Sequence, residues 1–229
     1  MKTIGIIGGM GPEATAALYL EIVHIFQRRF NARYDADYPP MVIYNLPAPD
    51  VVEGIKHETK LVWMLIDAAK KLEKAGAAFF LLACNTVQKH LPSVADAVDI
   101  PFIDLNAEIA SAAKKAGWQK LGVLGTEATL SGGHLVEACR QEGIECVLPE
   151  SLERREITRV IMNILSGDPD SAARPTLLGT VASLEQRGAQ AAVLACTDLR
   201  LALRHHPSPI PLLDTVDLLA EAAVRQSMD

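Results

Sequence analysis

Gly76-Ala77-Ala78-Phe79-Phe80-Leu81-Leu82-Ala83-Cys84 returns later in the chain as Gly188-Ala189-Gln190-Ala191-Ala192-Val193-Leu194-Ala195-Cys196. Each version opens on a glycine, runs through apolar residues and reaches a cysteine eight positions on. Echoes flank it on both sides. Lys2-Thr3-Ile4-Gly5-Ile6-Ile7-Gly8 matches Lys120-Leu121-Gly122-Val123-Leu124-Gly125, and Ile100-Pro101-Phe102-Ile103-Asp104 matches Ile210-Pro211-Leu212-Leu213-Asp214. Three landmarks in the same order, at offsets of 110 to 118 residues, point to two homologous halves.

Within each half, short β-branched or apolar runs alternate with longer helical patterns. In the first, residues 3–7, 41–44 and 78–82 read as strands, and residues 12–30 and 58–75 as helices. That alternation is the signature of βαβ units and a mostly parallel sheet. The expected fold is therefore α/β, with two pseudo-symmetric domains, each a mostly parallel sheet flanked by helices and with an active site in the interdomain cleft. We expect the first domain to span residues 1–103 plus 209–229 and the second 104–208. Basic side chains and a glycine should close the helices ending at Gly76 and Gly188, while Ser166-Gly167-Asp168-Pro169-Asp170 should break the helical region of the second half. The joint at 104–117 reads as helical rather than as a linker.

The composition narrows the function. Of 229 residues, 49% are apolar, and the charges mix both signs to a net −6, which argues against a nucleic-acid partner, because a phosphate-binding surface needs a basic excess. No apolar run reaches membrane-spanning length, and Met1-Lys2-Thr3-Ile4 leads straight into a strand, so a soluble cytoplasmic protein without membrane contact is expected. Four irregularly spaced cysteines match neither a disulfide framework nor zinc knuckles. His205-His206-Pro207 reads as a water-facing loop rather than a metal pair.

In parallel α/β sheets ligands bind beyond the carboxyl ends of the strands. Four strand-to-helix turns carry polar or glycine-rich residues there: Gly8-Gly9-Met10-Gly11-Pro12, Cys84-Asn85-Thr86, Gly125-Thr126-Glu127 and Cys196-Thr197-Asp198. Glycines let backbone N–H groups approach an anion, and a thiol at a helix N-terminus has its thiolate favoured by the dipole. A lone cysteine closing an apolar strand usually fills space. Two at one repeat position fit a different purpose, because inverting a carbon centre needs a base on one face and an acid on the other. Cys84 and Cys196 are the candidate acid/base pair. Met10, Asn85, Thr86, Thr126 and Thr197 are the candidates for holding substrate, while Cys139 and Cys146, which lack repeat partners, read as packing residues.

These motifs, together with Pro12-Glu13-Ala14-Thr15 and Asp198-Leu199, resemble the aspartate/glutamate racemase family, aspartate branch, over nearly the whole chain. The resemblance implies cofactor-independent racemisation of a small amino acid, aspartate, glutamate or a broader range, with no pyridoxal phosphate, no metal, frequent homodimers and a C-terminal helix returning to the first domain. It also marks departures. Gln88 stands where family members commonly have histidine, and Asp198 where they usually have Glu. The loop Asn45-Leu46-Pro47-Ala48-Pro49-Asp50 lacks an arginine common in acidic-substrate members, and Glu156 takes the place of a lysine, leaving Arg154 or Arg155 as possible substitutes.

Three other readings stay open. Gly9-Met10-Gly11-Pro12-Glu13-Ala14 satisfies G-x-G-x-x-A, although the second strand does not end in the acidic residue that a dinucleotide ribose requires. A non-catalytic small-molecule binding module would also explain the duplication. A decarboxylase or cis-trans isomerase of a small dicarboxylate would use the same scaffold but needs one cysteine rather than two.

Overall fold

The computed structural model describes residues 1–49, 51–52, 55–167, 172–204 and 206–229. Among them the chain runs β1 (Ile4–Gly8), α1 (Pro12–Phe30), β2 (Met41–Asn45), α2 (Glu58–Lys74), β3 (Phe79–Leu82), α3 (Leu91–Ala95), β4 (Phe102–Ile103) and α4 (Leu105–Lys115). It continues with β5 (Lys120–Leu124), α5 (Glu127–Gly132), α6 (His134–Gln141), β6 (Glu145–Val147), α7 (Ser151–Leu165), α8 (Ala173–Gln186), β7 (Ala191–Leu194), α9 (Arg200–Leu203), β8 (Leu212–Asp214) and α10 (Thr215–Met228).

The strands form two all-parallel four-stranded sheets of the same order, β2-β1-β3-β4 and β6-β5-β7-β8. Identical strand order is the structural form of the repeat. Each sheet belongs to its own compact unit. The first comprises Met1–Pro49, Lys56–Leu105 and Val216–Asp229, and the second is built on Asn106–Thr215 together with a short stretch around Val52. The repeat pattern places the return to the first half at residue 209, but Leu212–Asp214 pairs with Ala192–Leu194. Its echo in the first half, β4, likewise closes the sheet beside β3, so the second unit extends through Thr215.

In the first unit every residue of β3 is buried, as expected of a parallel strand covered on both faces. The covering helix α2 presents Leu61, Leu65, Ala68, Ala69 and Leu72 along one stripe, spaced by three and four, with Trp63 left outside. Gly5, in mid-β1, sits where an added Cβ would lie 3.1 Å from Leu72 Cδ1 and 2.9 Å from the Phe79 carbonyl. Absence of a side chain there lets the helix press on the sheet. At its C-terminus α2 stops on Gly76, at φ +86°, with Ala77 N–H donating to Leu72 O, a Schellman-type close. Helix α10 adds buried Leu219, Ala220, Ala222, Ala223 and Val224. It is tied to the chain's beginning by Lys2 N–H donating to Ser227 O at 2.8 Å and by an Arg29–Glu221 ion pair.

The second unit repeats these devices. An added Cβ on Gly122 would lie 3.0 Å from Leu184 Cδ1 of α8, and α8 closes on Gly188, at φ +94°, with Ala189 N–H donating to Leu184 O. Its core joins Ile157, Val160, Ile161 and Ile164 of α7, Leu177 and Val181 of α8, and the inward residues of β5 and β7. Cys139 is fully buried and Cys146 half-buried. A hydrogen bond between the two thiols lowers the first and raises the second from the ordinary thiol range, burial adding to the rise in Cys146. Asp168, Pro169 and Asp170 of the expected helix break lie outside the described residues, as do Asp50 and His205. Helix α7 ends before that break, at Leu165, and α8 begins after it at Ala173. No described helix is long and apolar enough to cross a membrane.

Candidate active site

The candidate residues of the first unit gather where adjacent strands β1 and β3 end. Ile7 pairs with Leu82, and Ala83 N–H extends the ladder to Ile7 O at 2.9 Å, so Cys84 follows one residue past the last bond between them. The corresponding place in the second unit is the same. Leu124 pairs with Leu194, Ala195 N–H donates to Leu124 O at 2.7 Å, and Cys196 follows. Both cysteines, with Met10, Asn85, Thr86, Thr126 and Thr197, are buried.

The local chemistry differs from the expectation in three ways. Gly8 and Gly9 of the β1–α1 turn are packing glycines. Gly9, at φ +90°, lies against the Leu46 backbone, where a Cβ would come within 2.6 Å, and a Cβ on Gly8 would collide with the Thr15 side chain. Gly9 N–H donates to Thr15 Oγ1, and the Thr15 hydroxyl donates to Gly11 O. With that N–H engaged internally and β2 ending in Asn45, the G-x-G-x-x-A spacing has a structural cause, which weakens the dinucleotide reading.

The second difference concerns the helix dipole. Each cysteine is followed by a three-residue 3-10 turn, Gln88–His90 or Thr197–Leu199, and then by α3 or α9, of five and four residues. Such short pieces do not build the aligned dipole that the sequence suggested would favour each thiolate. Pro207 and Pro209 follow α9, which limits how far that segment can continue as helix.

Third, Thr126 uses its side chain as the N-cap of α5, accepting from Thr129 N–H at 3.1 Å. Its hydroxyl also lies 3.0 Å from that of Thr129. Thr126 therefore shapes the turn first. Asn85 is different: neither its Nδ2 nor its Oδ1 meets a hydrogen-bond partner, although both are buried. An unmatched buried amide costs about 1–3 kcal/mol per group, so a position of this kind points to a polar ligand.

Three buried groups take contacts that the sequence did not show. Gln88 donates from Nε2 to the carbonyls of Leu82 and Cys84, at 3.0 and 3.2 Å, pinning the first cysteine loop. Its repeat counterpart, Arg200, is 1% exposed and places Nε 3.4 Å from Asp214 Oδ2 at the end of β8. Asp198 lies with Oδ2 3.8 Å from Cys196 Sγ. Equal spacing from each cysteine was the signal that could have exposed Gln88 and Arg200 as a pair.

A cavity of about 410 Å³ in the second unit is lined by Glu127, Ser151, Arg154, Arg155 and Thr158. Arg154 donates from Nε to Pro149 O and reaches Glu127 at 3.4 Å, while Glu156 pairs with Arg159. No described group of three His, Cys, Asp or Glu side chains is arranged to hold a metal ion.

Comparison with known proteins bears directly on the paired cysteine turns. The family model for Asp/Glu/Hydantoin racemase matches residues 7–223, which include both of them. The chain belongs to this family. Among racemases of known name, the broad specificity amino-acid racemase RacX of Bacillus subtilis is 30% identical over 225 residues, covering 96% of each chain. The fold is that of solved racemase structures. An aspartate racemase homologue from Pyrococcus horikoshii matches with a TM-score of 0.85 at 26% identity over 100% of both chains. The Picrophilus torridus aspartate racemase matches at 0.86 and 27%, over 100% of this chain and 95% of its own. The family resemblance drawn from the motifs therefore holds, and the chain is an amino-acid racemase, an isomerase acting on amino acids.

Proposed function

We propose that this racemase inverts the α-carbon of a small amino acid between two thiols, Cys84 and Cys196, without pyridoxal phosphate or metal. The observation that carries this reading is their identical placement, each next after the equivalent hydrogen bond at the end of the equivalent strand. In the proposed step the thiolate of one cysteine takes the α-proton and becomes a thiol. The electron pair of the broken C–H bond is held as an enolate-like carbanion, and the opposite thiol donates its proton to the other face, ending as thiolate. Asn85, with backbone N–H groups near Thr86 and Thr197, supplies donors for the substrate carboxylate, where preorganised hydrogen bonds matter most.

The proposed substrate range is broad rather than strictly acidic. The named residues of the loop after β2 include no cation, and Arg154 is already directed to Glu127 and the Pro149 carbonyl. The broad specificity of the Bacillus subtilis relative supports the same reading.

Racemisation in D2O across a panel of amino acids, without added cofactor, tests the proposal. The enantiomeric product should carry solvent deuterium from the first turnovers while remaining substrate stays largely protiated, and carbonyl-trapping reagents should leave the rate intact. Cys84→Ala and Cys196→Ala should each lose far more than about tenfold, a barrier change of about 1.4 kcal/mol. Full activity in either variant would falsify the two-thiol assignment, and loss in only one would move the chain to the single-cysteine decarboxylase or isomerase reading.

A further inference from the structure

Two carbonyls flank the turn into each cysteine loop: that of the cysteine and that of the residue two before it. In the second unit they are held by two different residues. The Thr215 hydroxyl, at the start of α10, donates to Leu194 O at 2.8 Å, and Leu199 N–H donates to Cys196 O at 3.1 Å. In the first unit the equivalent carbonyls meet one side chain. Gln88 Nε2 donates to Leu82 O at 3.0 Å and to Cys84 O at 3.2 Å, in a residue only 4% exposed. The repeat explains the exchange. Thr215 comes directly after the 210–214 landmark, and its counterpart after Asp104 is Leu105, which is equally buried and has no hydroxyl to give. Arg200, the counterpart of Gln88, is directed to Asp214 instead. Between the two units, a pair of positions has traded the work of fixing the carbonyl that precedes each cysteine.

We propose that Gln88 is a positioning residue for Cys84, holding the loop in the register from which that sulfur reaches the substrate α-carbon. The assignment rests on the two-thiol reading. An amide nitrogen carries two hydrogens, one for each carbonyl. The opposite flip would set Oε1 against two carbonyl oxygens, so the chemistry of the place fixes the orientation. Oε1 itself is buried without a hydrogen-bond partner among the described residues, and an unmet buried acceptor is unfavourable. The amide thus forgoes one bond of its own while making two for the loop. Both of those bonds run through one atom, where the second unit spreads them over two residues, so a single substitution at Gln88 removes both at once. Proton transfer depends on close placement of the reacting atoms, and a displacement of about 1 Å can slow a reaction about a hundredfold.

The test is racemisation by the full chain of whichever amino acid the wild type turns over fastest, measured over a range of pH on samples shown to be folded by circular dichroism. Gln88→Met, of similar reach but without an N–H, should lower kcat/KM by at least about tenfold. Gln88→Glu separates positioning from loss of packing. Buried and facing two carbonyl oxygens, the introduced carboxyl is favoured in its protonated form, which raises its pKa above the ordinary carboxylate range. Protonated, it donates one hydrogen bond; ionised, it donates none and repels both carbonyls. Its rate relative to wild type should therefore be highest at low pH and fall as pH rises through that raised pKa, whereas the ratio for Gln88→Met stays flat. Leu105→Thr, which copies the donor of the second unit, should return part of the lost rate to Gln88→Met. A folded Gln88→Met within about twofold of wild type overturns the proposal. So does a Gln88→Glu ratio that is flat with pH together with no regain from Leu105→Thr. Retained activity in Cys84→Ala or Cys196→Ala overturns the two-thiol reading instead, whatever the Gln88 variants do.

Discussion

Replacing Arg200 by Met strands Asp214 in a site where the arginine side chain is 2% and the aspartate 12% exposed. At their 3.4 Å separation and an effective dielectric of about 20, the Coulomb attraction is about 5 kcal/mol. Removing one member of a buried pair costs about 3–5 kcal/mol in practice, because the survivor loses its counter-charge without regaining water. Of a typical total stability of about 5–15 kcal/mol this is a large share. Arg200→Met and Asp214→Leu should each shift the guanidinium chloride midpoint of the second unit strongly downward. Trp118 reports that unit once the exposed Trp63 of the first is changed to Phe. The double variant should recover much of the loss, leaving a coupling energy of at least about 2 kcal/mol. Single losses below about 1 kcal/mol, or losses that simply add, would show that the pair does not hold β8 to the segment after Cys196.

Two other outcomes follow from the structure. Asn85→Leu removes a buried amide that has no partner, so it should raise the melting temperature by about 2–4 °C per kcal/mol relieved while cutting kcat/KM more than about tenfold; an unchanged kcat/KM would dissociate Asn85 from substrate. Glu137, bonded by the Arg140 and Gln141 side chains, has its carboxyl lowered to about 2 from an ordinary value near 4.5. Its contribution to stability is thus complete above the ordinary range and lost as pH falls through about 2, and a Glu137 carboxyl resonance titrating near 4.5 would contradict the geometry.

Much of this architecture could be read from the chain because it is written twice. Residues 12–30 were expected as a helix and form α1, and the two glycine-closed helices end on Gly76 and Gly188 as their basic and glycine residues suggested. Cysteine placement was legible for the same reason, since a repeat converts sequence equivalence into spatial equivalence. What stayed hidden was pairing between residues distant in sequence or buried without an apolar character. Arg200 looks like a surface cation in isolation; only the fold brings Asp214, from the last landmark of the repeat, against it. The segments after the cysteines looked like ordinary helix starts, but each passes through a 3-10 turn into a helix of only five or four residues. Glycines beside β1 suggested an anion cradle, whereas their causes are the Thr15 side chain and the Leu46 backbone.

The return of α10 to the first unit has a consequence for biosynthesis. Translation is vectorial, and a domain that emerges whole can fold while the ribosome is still working. Here the N-terminal sheet is made first, yet the stretch from Val216 that buries Leu219, Ala223 and Val224 and binds Lys2 arrives only after the second unit has been synthesised. The earlier-encoded half therefore completes no sooner than the later one, and until then it waits with an uncovered apolar surface. Closing that long loop is a slow, non-local event, and the nascent first sheet is where a holding chaperone would find its target.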